Sequence, residues 1–314
     1  MSNNPWDRMD RRDFVRRMAG IGAAAVATGA LPSLASGAGR GGVGASLKDQ
    51  IGLQLYTVRD LTAKDYPGTL MKVAQIGYKQ VQTTGSYGEY TAKQIHEFLD
   101  RAGLVSPATH VSPRMGPDFE RTLEGYQLIG HKYTTVSFPR SETRETGEAA
   151  VRRTAEQLNQ AGAITKKYGI KVIVHNHTAE FAPIEGSSRL PYDILLSDLD
   201  PSLVALELDI GWASVAGQNP LELIRKNPGR FEVWHVKDVA NLDALRALNT
   251  QSERQRAAKL VPVGEGKVDY KAIFAQAETA GMKHFFVEQD SAPASGDSIA
   301  DARKSYQYLA RMLG

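Results

Sequence analysis

The stretch KVIVHNHTAEF, residues 171–181, opens on an apolar, β-prone run and closes on polar groups. Its five residues from Lys171 to His175 read as a buried strand. Such a strand has no packing reason to finish with His175, Asn176, His177 and then Glu180, because imidazoles and carboxylates are poor core material. His175 and His177 stand two apart, so on a strand both point to one side while Asn176 points to the other. One strand-end histidine is usually a hydrogen-bonded structural group. The reading turns on whether other strands end the same way.

They do. Short runs of this kind alternate with longer amphipathic segments along the chain: IGLQLYTV (51–58), YKQVQTT (78–84), LVSPATH (104–110), KYTTVSF (132–138), IKVIVHNH (170–177), LVALELDI (203–210), FEVWHVK (231–237) and KHFFVEQD (283–290). Helical patterns fall between them, among them 91–103, 148–168 and 269–281, with glycines at Gly103 and Gly169 where a helix stop is wanted. The runs are apolar on both parities, as expected of strands covered on both faces. Eight strand–helix units within one domain of ordinary size predict a single (β/α)8 barrel, a TIM barrel, over 50–314. A doubly wound sheet fits less well, because no G-x-G-x-x-G turn follows the first strand. The charged stretch 241–267 reads as a helix-capable insertion at the catalytic end.

In such a barrel the C-terminal strand ends converge on one mouth. Here they supply Gln54, Thr83, His110, Ser137, His175 with His177, Asp209, His235 and Glu288. Four strands in succession thus offer His, Asp, His and Glu. Mixed imidazole and carboxylate donors suit one divalent ion of the Mn²⁺, Co²⁺, Zn²⁺ or Fe²⁺ kind; Mg²⁺ stays among the candidates, although purely oxygen sets favour it more. Glu207 lies one layer beneath Asp209 and, if buried, needs a partner. Lys237, two after His235, brings a cation to the rim. Taken singly, Asp209 before Gly211 reads as a turn residue and Trp212 as core.

The motifs GLQLYTVRD, HNHTAEF, LELDIGW, RFEVWHVKD, VGEGKVDY and HFFVEQD together resemble the sugar phosphate isomerase/epimerase family of xylose-isomerase-like TIM barrels, over about residues 50–312. The resemblance implies a metal held by Glu, Asp, His and Glu from successive strand ends, of which Asp209, His235 and Glu288 match the last three. Many relatives carry Glu-Asn-His where this chain has His175-Asn176-His177. His175 is therefore expected as the first ligand, with His177 beside it and Glu180 as the alternative. The resemblance further implies abstraction of a proton next to a sugar carbonyl, with Glu288, His177 or Glu180 moving the proton and Gln54, His110, Trp212 and Lys237 lining the substrate. Two-sided epimerisation uses two metal-bound glutamates, so the missing one weakens that outcome; a sugar isomerase or epimerase is the leading expectation, with a lyase or hydratase acting by β-elimination on a keto-sugar or keto-glycoside as the alternative.

The first 35 residues stand apart. A basic segment, MDRRDFVRRMAG, leads into a short run of small apolar residues, the layout of a secretory signal. The Arg11-Arg12 pair resembles a twin-arginine export signal, with a cut expected after Ala35 and a flexible segment over 36–49. That implies the export machinery as a partner, a periplasmic destination and a non-phosphorylated sugar as substrate. Beyond residue 35 the chain has 33 basic and 32 acidic groups and no cysteine. Nothing in that balance marks a nucleic-acid or anionic-membrane surface, which disfavours the related abasic-site endonuclease. No two-lobed division supports a non-catalytic sugar-binding protein. A homo-oligomer is compatible with the sequence.

Overall fold

The computed structural model of the chain describes residues 46–85, 87–136 and 146–314. The expected leader and Ser137 lie outside these. Ten strands are present among the described residues: β1 (Ile51–Gln54), β2 (Gln80–Thr83), β3 (Val105–Thr109), β4 (Tyr133–Thr134), β5 (Lys171–His175), β6 (Val204–Asp209), β7 (Val233–Val236), β8 (Asp238–Val239), β9 (Leu260–Val261) and β10 (His284–Val287). Eight of them close into a parallel barrel in the order β1-β10-β7-β6-β5-β4-β3-β2, as the sequence predicts. Helices such as Tyr66–Ile76, Ala92–Ala102, Gly147–Thr165 and Ser298–Met312 surround it.

Strand parity builds two cores. On β6, Val204, Leu206 and Leu208 face outward into the large cluster beneath the helices, whereas Ala205 joins Ala108, Tyr133, Ile173, Val233 and Phe286 in a small apolar plug inside the barrel. The plug needs Gly52: a Cβ there would stand 2.5 Å from the Phe286 ring and 2.7 Å from the Phe285 carbonyl. Above the plug, the inward positions turn polar. Register sets His175 beside Glu207 and Asp209 beside His235.

Helix boundaries follow their local chemistry. Thr91 and Gln94 form a reciprocal capping box, and Gly103 takes the left-handed conformation (φ 67°) at the same helix's other end. Three expectations are corrected. The single helix expected over 269–281 is broken into Tyr270–Phe274 and Ala277–Ala280; nothing in the sequence marks the break. The insertion over 241–267 is not only helical: it contains β9, which pairs with β8 just before it as a two-stranded antiparallel ribbon. Residues 47–49, expected in a flexible segment, belong to a 3₁₀ turn, Leu47–Gln50.

Candidate metal centre

Asp209 shows how local folding sets up the site. It ends β6 and also caps the short helix Ile210–Val215, its Oδ1 accepting from the Trp212 N–H at 2.7 Å. The other oxygen, Oδ2, is left to face the barrel mouth. Asn176 fixes the backbone beneath it: the Asp209 N–H donates to Asn176 Oδ1 at 3.0 Å, and Asn176 Nδ2 donates to the Asp209 carbonyl at 3.2 Å. The middle residue of His-Asn-His therefore locks two strand ends together while its neighbours point into the mouth.

Around Asp209 Oδ2 the structure gathers four side chains from four strand ends, His175, Asp209, His235 and Glu288, one donor atom from each lying within 4.8 Å of all the others. His175 Nε2 is 3.2 Å from Asp209 Oδ2, His235 Nδ1 is 3.6 Å from the same oxygen, and Glu288 Oε2 is 2.9 Å from His235 Nδ1. Ligands held at about 2.1 Å from a common ion stand about 3 to 3.5 Å apart, so the spacing fits a divalent cation. His235 Nδ1 is buried without a hydrogen-bond partner among the described residues. A buried nitrogen of this kind, facing two carboxylates and a second imidazole, fits a metal ligand.

The groups beneath orient this set. His235 Nε2 is 2.6 Å from Gln82 Oε1 and 3.1 Å from Glu207 Oε1. Gln54 Nε2 also donates to Gln82 Oε1 at 2.6 Å, and Gln82 Nε2 donates to Glu207 Oε1 at 2.5 Å. The other Glu207 oxygen is bonded to His110 Nε2. The partner expected for a buried Glu207 is thus threefold. With Nε2 directed at two acceptors, His235 presents Nδ1 to the mouth, the arrangement by which outer groups set a ligand's tautomer.

Charge follows burial and pairing. Desolvation pushes the Asp209, Glu207 and Glu288 carboxyls up, but Lys237 and His235 beside Glu288, Lys237 and His175 beside Asp209, and His110 and His235 beside Glu207 hold all three well below the usual carboxylate range. Burial and the nearby His235 lower His175, which stays neutral; burial would also lower His235, yet Glu207 and Glu288 raise it. Lys237 Nζ stands 3.1 Å from Asp209 Oδ2, 3.0 Å from Glu288 Oε2 and 2.5 Å from Asp290 Oδ2.

The remaining expected residues divide. Trp212 is 5% exposed and packs on Val215, Val239 and Leu245, with Lys237 Nζ 4.7 Å above its ring. His177 is exposed at the rim, its ring 4.7 Å from that of His175 and 6.2 Å from that of Trp212. Glu180 does not join the four: its carboxylate turns back to accept the His177 backbone N–H at 2.8 Å. Thr83 belongs to the other parity of β2, where it bonds Thr109 and Tyr87, and Gln82 takes the inward place. Gln82 and Asp290 are additions to the expected set. The spacing of two between Gln80 and Gln82 carries the signal for the first, and nothing local carries one for the second.

A family model described as Xylose isomerase-like TIM barrel matches residues 70–312. The inosose dehydratase of Geobacillus thermodenitrificans is 28% identical over 162 residues, which cover 50% of this chain and 53% of that one; in this match the chain spans about half its relative's length. The inosose dehydratase of Clostridium perfringens is 24% identical over 244 residues, 76% of each chain. Among solved structures, a sugar phosphate isomerase/epimerase from Parabacteroides distasonis superposes with a TM-score of 0.67 at 25% identity, over 83% of this chain and 97% of that one.

Proposed function

The chain belongs to the xylose isomerase-like TIM barrel family, and we propose that it is a divalent-metal-dependent lyase of the dehydratase type, removing water from a non-phosphorylated keto-sugar or related keto-polyol. The observation that carries this reading is the convergence of His175, Asp209, His235 and Glu288 with Glu288 as the one carboxylate placed to take a proton. A metal held by these four would polarise a substrate carbonyl and stabilise the negative charge that develops on its oxygen.

The chain's own residues supply the rest. Glu288, ionised by Lys237 and His235, accepts the proton from the carbon next to the carbonyl. The C–H electron pair becomes the new C=C bond, and the β-hydroxyl departs as water once protonated. His177, at the rim beside His175, is pushed down to about 3 by desolvation and by the nearby His175 and Lys237, so it is neutral and relays that proton from solvent, giving one ring N–H and taking another proton in its place. Asp209 is a poor second base, because one of its oxygens accepts the Trp212 N–H and the other faces His175 and His235 in the centre. Elimination needs one base and one acid, whereas two-sided epimerisation needs a base on each face. Two relatives named for dehydrating an inosose support the same choice. Isomerisation is the second reading, favoured by the likeness to a sugar phosphate isomerase/epimerase.

We further place the protein in the periplasm, on the strength of the twin-arginine-like segment. Exported material should begin at Ser36; a cytoplasmic protein that keeps Met1 overturns the placement. The activity is tested with metal-free protein reloaded with single metals, incubated in D₂O with free sugars, 3-keto sugars and inososes, and followed by NMR and mass spectrometry. Deuterium uptake with loss of one water supports the lyase. Exchange without loss of water, the mass rising only by the deuterium taken up, supports the isomerase. Asp209→Ala and His235→Ala should lose both metal and exchange; full metal content in both refutes the centre.

A further inference from the structure

Lys237 is the one lysine or arginine in contact with the centre among the described residues, and its placement goes beyond the lining of a substrate pocket. It is 1% exposed, two residues after His235 and on the same inward parity. Its ammonium contacts Asp209 Oδ2 and Glu288 Oε2, the same oxygens that face His175 Nε2 and His235 Nδ1. A dication bound to those two oxygens would share them with the ammonium, and two positive charges so close repel strongly in a partly desolvated site.

We infer that Lys237 is a resident counter-cation: it neutralises Asp209 and Glu288 when no metal is bound and yields those oxygens when one enters, withdrawing to Asp290 and the face of Trp212. The inference rests on the metal-centre reading above and adds to it a competition between the metal and a side chain of the protein itself.

Three features support it. Asp209 and Glu288 hold Nζ by charge, at 3.1 and 3.0 Å, whereas Asp290 holds it more closely at 2.5 Å, so the ammonium can leave the first two without breaking an aligned bond. A second harbour is already in place, with Asp290 Oδ2 at 2.5 Å and the Trp212 ring at 4.7 Å; Asp290 is not one of the four converging groups. The stem is also seated by design of the backbone. A Cβ at Gly211 would meet the Lys237 carbonyl at 2.5 Å, its Cβ at 2.8 Å and its Cγ at 2.9 Å, so only glycine leaves room for Lys237 to cross the mouth at this depth.

The test uses the full chain, freed of metal by chelation, as wild type, Lys237→Met and Asp290→Asn. Mn²⁺ and Zn²⁺ are titrated by calorimetry, and thermal melts are recorded with and without metal. Methionine keeps the length of the stem and removes the charge, so Lys237→Met should bind metal at least tenfold more tightly. It should also melt below wild type in chelator and gain more on loading, since binding to the native state stabilises it. Asp290→Asn, which removes the harbour, should weaken metal binding severalfold. If Lys237→Met folds only with metal present, that meets the expected apo instability, and the Asp290→Asn affinity then decides. Affinity in Lys237→Met equal to or weaker than wild type overturns the inference and leaves the metal centre standing. Absence of metal binding in the wild type overturns both.

Discussion

Replacing Glu207 by Gln isolates the layer beneath the proposed metal. The side chain is fully buried, and it accepts from Gln82 Nε2, contacts His235 Nε2 and is bonded to His110 Nε2. Glutamine keeps the shape but loses the charge, and it turns a donor toward one of these nitrogens. Breaking a buried charged pair by removing one partner costs about 3 to 5 kcal/mol. At about 2 to 4 °C per kcal/mol for a domain near this size, the metal-free protein should melt roughly 6 to 20 °C lower. Outer groups that orient a ligand are worth about 10- to 100-fold in metal affinity, and His235 should lose that much when its Nε2–H is no longer directed at a carboxylate. Differential scanning fluorimetry in chelator reads the first effect, and calorimetric titration with Mn²⁺ or Zn²⁺ reads the second. A variant that binds metal as tightly as wild type would show that Glu207 does not orient His235, and the two-layer account of the site would fail.

Two other expectations concern the scaffold. His131 is buried, with Nδ1 donating to the Ser106 carbonyl and Nε2 accepting from the Tyr87 hydroxyl, both at 2.6 Å; burial pushes it down to about 4. The folded pKa lies below the unfolded one, so between these values the unfolded chain binds more protons. The stability from keeping His131 neutral is complete above about pH 6.5 and is lost as pH falls toward 4. From pH 7 to 5 that loss is about 2 kcal/mol, and His131→Gln should flatten the urea-unfolding profile over this range by that amount; an unchanged slope refutes it. Asp238, 1% exposed, accepts four backbone N–H groups, from Val239, Gly264, Gly266 and Val268, at 2.9 to 3.1 Å. Asp238→Asn turns a donor toward some of them, which should cost about 2 to 5 kcal/mol and speed hydrogen exchange at 264–268 before the rest of the barrel opens; unaltered protection there would refute the latch.

How much of this was legible beforehand depends on the range of the signal. Apolar runs on both parities are local, and they give the barrel strands. Period-two spacing is local as well, which is why His175, Asp209 and His235 fall inward as read. It also explains why Thr83 was the wrong member of its pair: the strand's last residue is not always its last inward one. The antiparallel ribbon joins Asp238 to Val261 and Val239 to Leu260, two-residue elements with no pattern long enough to announce pairing across some twenty residues. Glu180 was read as an alternative ligand because the turn that carries it, Ala179–Phe181, is not specified by its residue types, and that turn sends the carboxylate back to the His177 N–H. Asp290 reaches the centre only through Lys237, a relation between two chain segments that no single stretch contains.

The chain of side chains from Gln54 through Gln82 to Glu207, with His110 and His235 attached, joins the ends of β1, β2, β3, β6 and β7. Each carboxamide has its orientation dictated by the next, so a swap at one position re-aims the others. Substitutions along this circuit should be strongly epistatic. A lineage drifting toward a new substrate would then alter these five positions as a set, while the rim above them remains free to vary one residue at a time.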